Sequence, residues 1–279
     1  MPSERLDLEY SPSSAARDPQ RSLRLYRERG DAARSRLRVQ ESVPYGDGPG
    51  ELCHVFPAGA PGRPAPVLVF VHGGHWQESG IDDACFAAEN AVSHGFAYVA
   101  VGYGLAPERT LPDMIASVSR ALAWIAESGP SRGLDPDRVY VAGSSAGAHL
   151  LACALADPAT PRARGALLLS GLYDLAEIPD TYVNDALGLT PGTARRCSPL
   201  WMAAPRCDAV LLAAGRHETR TYLRQQQEYE ARLAASALPV VSRVIADRDH
   251  FDLPLDLCDP ATAFGRLSLE HVGRVTSSS

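Results

Sequence analysis

The chain has 279 residues, is 45% hydrophobic and 22% charged, and carries a net charge of −6. That length and composition suit one large domain with a sizeable core. The interspersed acidic and basic residues argue against a nucleic-acid or anionic-membrane surface. Six cysteines, at 53, 85, 153, 197, 207 and 258, are scattered without a C-x-x-C pair, so a reduced, cytoplasmic setting is expected. The N-terminus lacks an apolar signal region and no run approaches the length of a membrane span.

Residues 1–35 alternate charge with Ser, Pro and Ala and are expected to form a partly helical N-terminal arm over the domain, with a surface helix from Pro19 to Gly30. Leu37 to Val43 and Leu52 to Phe56 alternate apolar and polar residues around the turn cluster Tyr45–Gly50. They predict two half-buried antiparallel edge strands. Continuous apolar runs follow at Val67–Val71, Phe96–Val101, Val139–Ala142, Ala166–Leu169 and Val210–Ala214. Such runs predict strands buried on both faces, hence a parallel sheet. Met114, Val118, Ala121, Leu122 and Ile125 recur at helical spacing, as do Tyr222, Gln226, Tyr229 and Leu233. Strands alternating with helices predict a doubly wound α/β sheet in a single domain, residues 36–275, with a frayed tail at 276–279.

Gly143-Ser144-Ser145-Ala146-Gly147 lies between the run Val139–Ala142 and a helix-like stretch rich in Ala and Leu. This is G-x-S-x-G in the strand–turn–helix setting of a nucleophile elbow. Glycines at both ends let strand and helix approach closely, leaving Ser145 at the strained tip. A plain Ser/Gly-rich turn is the bland alternative.

A serine hydroxyl is a weak nucleophile and needs a base, an orienting acid and donors for an oxyanion. In this chain order the base should follow the last strand, and His250 stands just after the β-like run Val240–Ala246. His271 is a poorer candidate. The acid should follow the preceding strand, where Glu218 is the carboxylate in Gly215-Arg216-His217-Glu218-Thr219. Asp174 and Asp208 compete with it. His72-Gly73-Gly74-His75-Trp76 follows the strand Val67–Val71, and Gly73, Gly74 and Ala146 are the expected oxyanion donors. No carboxylate or cysteine completes a metal site around His72 and His75, and neither a dinucleotide nor a P-loop motif occurs. No cofactor and no metal are expected.

With these residues placed, the chain resembles the kynurenine formamidase (arylformamidase) family of α/β-hydrolases over most of its length. The resemblance rests on Tyr10-Ser11-Pro12-Ser13, Val43-Pro44-Tyr45-Gly46-Asp47-Gly48, the His72–Trp76 loop and Gly102-Tyr103-Gly104-Leu105-Ala106-Pro107. Ser170–Leu175, Tyr182–Leu187, Gly215–Glu218 and His250-Phe251-Asp252 extend it. It implies an α/β-hydrolase fold and hydrolysis of N-formyl-L-kynurenine to kynurenine and formate. The family usually has Asp at Glu218, often His at Ser144, and Asp at Gly104, departures that bear on the substrate; a formylated or acylated tryptophan-derived product of secondary metabolism is an open variant. Trp76 and Tyr103, and more weakly Tyr173 and Trp201, are candidates for an aromatic substrate wall, with core packing as the alternative. A broad carboxylesterase and a non-catalytic ligand-binding protein on the same fold are the rival readings. The expected partner is a small-molecule substrate, and a homodimer is compatible with the sequence.

Overall fold

Strands that are apolar at every position need cover on both faces, and the chain supplies two separate cores to provide it. The computed structural model describes residues 2–59 and 63–277. Its strands are β1 (Gln40–Pro44), β2 (Leu52–Phe56), β3 (Ala65–Val71), β4 (Ala97–Val101), β5 (Leu134–Ser144), β6 (Ala163–Leu169), β7 (Cys207–His217) and β8 (Val240–Asp249). The helices are α1 (Pro2–Glu9), α2 (Pro19–Arg36), α3 (Ala88–Ser93), α4 (Leu111–Ser128), α5 (Ala146–Ala156), α6 (Asn184–Leu187), α7 (Pro191–Arg196), α8 (Arg220–Ala234) and α9 (Ala263–Ser277).

The strands form one eight-stranded sheet in the order β1-β2-β4-β3-β5-β6-β7-β8. β1 pairs with β2, and β2 with β4, antiparallel; the remaining pairs are parallel. Period-two alternation divides the side chains between the cores. Val67, Val69 and Val71 face the core that contains α4, α5 and α8, while Leu68 and Phe70 face the one beneath α3 and α9. Val141 and Tyr140 on β5, and Leu168 and Leu167 on β6, divide the same way.

The apolar runs expected as strands all lie in the sheet. The position of β4 between β2 and β3 was not legible in them, because a run's composition does not state its neighbours. α2 continues six residues past the expected end at Gly30, to Arg36. Gly30 itself is buried there, and a Cβ on it would stand 2.6 Å from the Asp82 carbonyl oxygen. α4 begins at a reciprocal cap, with Thr110 and Asp113 each accepting the other's backbone N–H. α9 runs to Ser277, and residues 278–279 of the expected frayed tail lie outside the described residues. All six cysteines are buried thiols.

The turn between β1 and β2 is fastened from below by Glu51, whose side chain is 2% exposed. Its carboxylate accepts from Ser117 Oγ at 2.7 Å, from Gly48 N at 3.2 Å, from Arg109 Nη2 at 3.3 Å and from Arg120. Burial pushes its pKa up, but the hydrogen bonds from Arg120, Ser117 and Gly48 outweigh that and bring it down to about 2. Because the folded value lies below the unfolded one of 4.5, its stabilisation is complete above pH 4.5 and fades as the pH falls toward 2. Glu51→Ala strands two arginines and is expected to cost about 3 kcal/mol. Thermal melting at neutral pH checks this as a drop of several degrees, one that narrows toward pH 2.

Candidate active site

The backbone is strained where β5 passes into α5. Ser145 has φ 54° and ψ −118°, a backbone conformation that non-glycine residues adopt only when their surroundings impose it. Those surroundings are backbone itself. A Cβ on Gly147 would fall 2.0 Å from the Val71 carbonyl oxygen, and one on Gly143 would fall 2.7 Å from the Gly147 carbonyl carbon. The Ser145 N–H is bonded to the Leu169 carbonyl at 2.8 Å, and its carbonyl accepts from His149 N at 3.1 Å within α5. α5 can sit this deep because it is apolar all round, with every residue from Ala146 to Leu155 buried.

Two loops at the carboxyl ends of β7 and β8 meet beside this turn. His250 Nδ1 lies 2.8 Å from Glu218 Oε2, and the side chains are 6% and 0% exposed. Glu218 Oε1 accepts a second hydrogen bond from Ser170 Oγ. With Nδ1–H directed at the carboxylate, Nε2 is the basic nitrogen of the ring. Asp174 is engaged elsewhere, accepting from Ala176 N at 3.0 Å and Ser198 Oγ at 3.4 Å. Asp208 pairs with Arg162 at 2.6 Å. His271 lies on α9 beside Gly165 of β6, away from this cluster.

The glycine loop after β3 closes the third side. A Cβ on Gly73 would stand 3.1 Å from the Ser145 Cβ, and Gly74 has φ 102°. The carbonyls are drawn away: Gly73 O accepts from Tyr103 Oη at 3.3 Å, and Gly74 O accepts from Gln77 N and Glu78 N at 2.9 Å. Gly73, Gly74, Ser145 and His250 line one cavity of about 320 Å3, and Ala146 opens α5 next to it. The size suits a small ring-bearing ligand.

The four aromatic residues expected at the substrate wall do not line this cavity. Trp76 is fully buried, its Nε1–H donating to His149 Nδ1 at 3.2 Å. Tyr103 stacks on His72 at 4.4 Å, and Tyr173 stacks on Tyr229 at 4.1 Å. Trp201 is 52% exposed with the Arg195 guanidinium over its ring. Tyr26, Phe70, Phe86, Tyr182 and Phe251 supply the aromatic wall instead. Sequence reading did not single out Ser170 as the partner of Glu218, because that contact joins residues 48 apart in the chain. The N-terminal segment roofs the cavity through Ser11, Pro12, Ser13, Pro19, Gln20 and Leu23. Tyr10 Oη donates to Glu177 at 2.8 Å, Tyr26 Oη to the Phe251 carbonyl at 2.7 Å, and Arg17 N to Asp249 at 2.9 Å. Among the described residues no group of three or more His, Cys, Asp or Glu side chains is placed to hold a metal ion, and no helix is long and apolar enough to cross a membrane.

A serine at a strained strand-to-helix turn, with a histidine–carboxylate pair delivered from the ends of the last two strands, is the arrangement of an α/β-hydrolase. The family model for the alpha/beta hydrolase fold matches residues 68–251. Esterase B of Lactobacillus rhamnosis, a solved structure, shares the fold with a TM-score of 0.73 at 18% identity, covering 94% of this chain and 96% of that one. The kynurenine formamidase of Danio rerio is 32% identical over 292 residues, and that of Salmo salar 30% identical over 293, each comparison covering 98% of both chains. The chain belongs to the kynurenine formamidase family of α/β-hydrolases, and it is a hydrolase.

Burial lowers the pKa of His72, His75 and His149 to about 4 from 6.5; at His75 the charge of His250 adds to the effect. These rings fold neutral, whereas the unfolded chain protonates them below pH 6.5. Stability from this source is complete above 6.5 and lost as the pH falls to 4. The melting temperature is expected to drop steadily across that window, with proton uptake on unfolding. A flat profile between pH 6.5 and 4 would refute it.

Proposed function

We propose that Ser145, His250 and Glu218 form a catalytic triad that cleaves an aryl formamide, N-formyl-L-kynurenine or a related formylated tryptophan-derived metabolite. The observation that carries this reading is the 2.8 Å contact of Glu218 with His250, which lines the same cavity as the strained Ser145. His250 Nε2 takes the Ser145 proton as Oγ attacks the formyl carbon, and Glu218 stabilises the imidazolium that results. The N–H groups of Gly73, Gly74 and Ala146 receive the oxyanion. His250 then returns the proton to the leaving aryl amine, and water repeats the sequence on the formyl-enzyme to release formate. The aromatic side chains Tyr26, Phe70, Phe86, Tyr182 and Phe251 would hold the substrate ring.

One observation favours a variant of this substrate. Apart from histidines, the ionisable acids and bases lining the cavity are Glu78, Asp83 and the Tyr26 and Tyr182 phenols, so its fixed charge is acidic. Asp83 is paired with the exposed Arg27 at 3.4 Å, while Glu78 is exposed at the mouth. Acidic walls disfavour a free carboxylate and suit a neutral or cationic tail. A formylated tryptophan-derived product whose carboxyl group is absent or esterified fits this lining better than N-formyl-L-kynurenine itself. A broad esterase would use the same triad.

Product release from N-formyl-L-kynurenine, from its methyl ester and from p-nitrophenyl esters separates these readings. Formamide turnover is expected, lowered by roughly 10^4-fold or more in Ser145→Ala and about 10^4-fold in Glu218→Gln. Ester turnover with inert formamides would overturn the substrate assignment, and full activity in Glu218→Gln would overturn the acid. The methylated formamide is expected to have the higher kcat/KM, an advantage that shrinks in Glu78→Gln. Equal values for acid and ester would reject the electrostatic selection.

A further inference from the structure

The glycine loop after β3 carries a run of strained residues. Gly74, His75 and Trp76 have φ values of 102°, 48° and 61°. A bulky side chain in the left-handed region persists only where its surroundings impose it. Three contacts do so at Trp76. Its side chain is fully buried, its carbonyl accepts from Ala106 N at 2.9 Å, and its Nε1–H donates to His149 Nδ1 at 3.2 Å. The two rings meet edge to face, with centroids 5.1 Å apart and planes at 89°.

His149 is itself held from two sides. It lies on α5 one turn beyond Ser145, and its main-chain N–H donates to the Ser145 carbonyl at 3.1 Å. Its Nε2 is 2.7 Å from the carbonyl of Cys197, just past α7. A carbonyl can only accept, so Nε2 carries the ring proton and Nδ1 keeps the lone pair that the indole N–H requires. The ring is therefore neutral, in one tautomer. Other side-chain bonds of the loop run elsewhere, from His75 to Tyr222 at 3.1 Å and from Gln77 to the Val183 carbonyl at 2.8 Å. The Trp76–His149 bond joins the loop to the helix that begins beside Ser145.

We propose that Trp76 and His149 are positioning residues, whose hydrogen bond holds the Gly73 and Gly74 N–H groups in register with Ser145 and so strengthens their hold on the oxyanion. The inference rests on Ser145 as the nucleophile and on these glycines as donors, as read above, and is independent of the substrate. Trp76 does not line the cavity. It acts from two residues beyond Gly74, by keeping the loop in its strained conformation. Without the bond the loop relaxes, and the donors move from where the charge develops.

The test pairs hydrolysis of p-nitrophenyl acetate with inhibition by an aryl trifluoromethyl ketone. Ser145 Oγ adds to the ketone carbon, its proton passes to His250, and the carbonyl oxygen becomes an oxyanion that needs the same donors. Trp76→Phe keeps a ring and removes the N–H, and His149→Leu removes its acceptor. Each is expected to lower kcat about tenfold, the loss of one oriented hydrogen bond, with KM unchanged and ketone affinity lowered by the same factor. His149→Asn can place its amide oxygen where Nδ1 stands, so it should recover most of the loss seen in His149→Leu. Because both residues act through one bond, the double variant Trp76→Phe with His149→Leu should be no slower than the slower single variant. Unchanged kcat in Trp76→Phe would overturn the proposal. So would a rise in KM alone, a fall in kcat at unchanged ketone affinity, or losses that multiply. If Trp76→Phe does not fold, the His149 variants decide: Asn well above Leu supports the proposal, and equal activities overturn it. If His149→Leu also fails to fold, a kcat in His149→Asn within about threefold of wild type supports it and a larger fall overturns it. Wild-type activity that survives Ser145→Ala would instead overturn the nucleophile reading, and this inference with it.

Discussion

The close approach of α5 to the end of β3 is the constraint from which the rest of the site follows. At Gly147 a methyl group would stand 2.0 Å from the Val71 carbonyl oxygen, so helix and sheet touch backbone to backbone. That contact forces the chain to turn within one residue, and Ser145 absorbs the turn at φ 54°. The strain is held by the sheet: β5 is flanked by β3 and β6 in register up to Gly143 and Ser144. A parallel sheet aligns the carboxyl ends of its strands, so the loops after β3, β7 and β8 arrive around the same serine.

What gathers there is a set of buried polar groups. Glu218 is shielded completely, yet both of its oxygens are occupied, one by His250 and the other by Ser170. A buried carboxylate with two donors stays in one orientation and fixes the ring it faces. The neighbouring histidines are neutral because burial disfavours their charged forms. They therefore act as oriented hydrogen-bond donors and acceptors and carry no charge at neutral pH.

The N-terminal segment converts an open end of the sheet into a cavity. It adds no strand. It is held by hydrogen bonds to the loops that carry the site: Thr219 Oγ1 donates to the Glu9 carbonyl at 2.6 Å, Thr221 N to the Glu9 carboxylate at 3.0 Å, and Tyr182 N to Asp7 at 2.8 Å. Thr219 directly follows Glu218, and Thr219 and Thr221 flank Arg220, the first residue of α8. These bonds tie the roof of the cavity to the loop that carries Glu218.

The sequence by itself determined the sheet class, the glycine-flanked turn at Ser145 and the places of Glu218 and His250 at the ends of the last two strands, because each is local. Apolar runs, glycines that admit close approach, and residues directly after a strand are written in consecutive positions. Tertiary structure decided the place of β4 within the sheet, the roof over the cavity, the hydrogen bond of Ser170 to Glu218, and the identity of the aromatic residues that line the cavity. Trp76 and Tyr103 are adjacent to site motifs in sequence yet point into the core. Tyr26 and Phe86 reach the cavity from segments about sixty residues apart in the chain. Side-chain direction depends on which neighbour fills the space beside it, and that neighbour is chosen by the fold as a whole, not by the residues on either side.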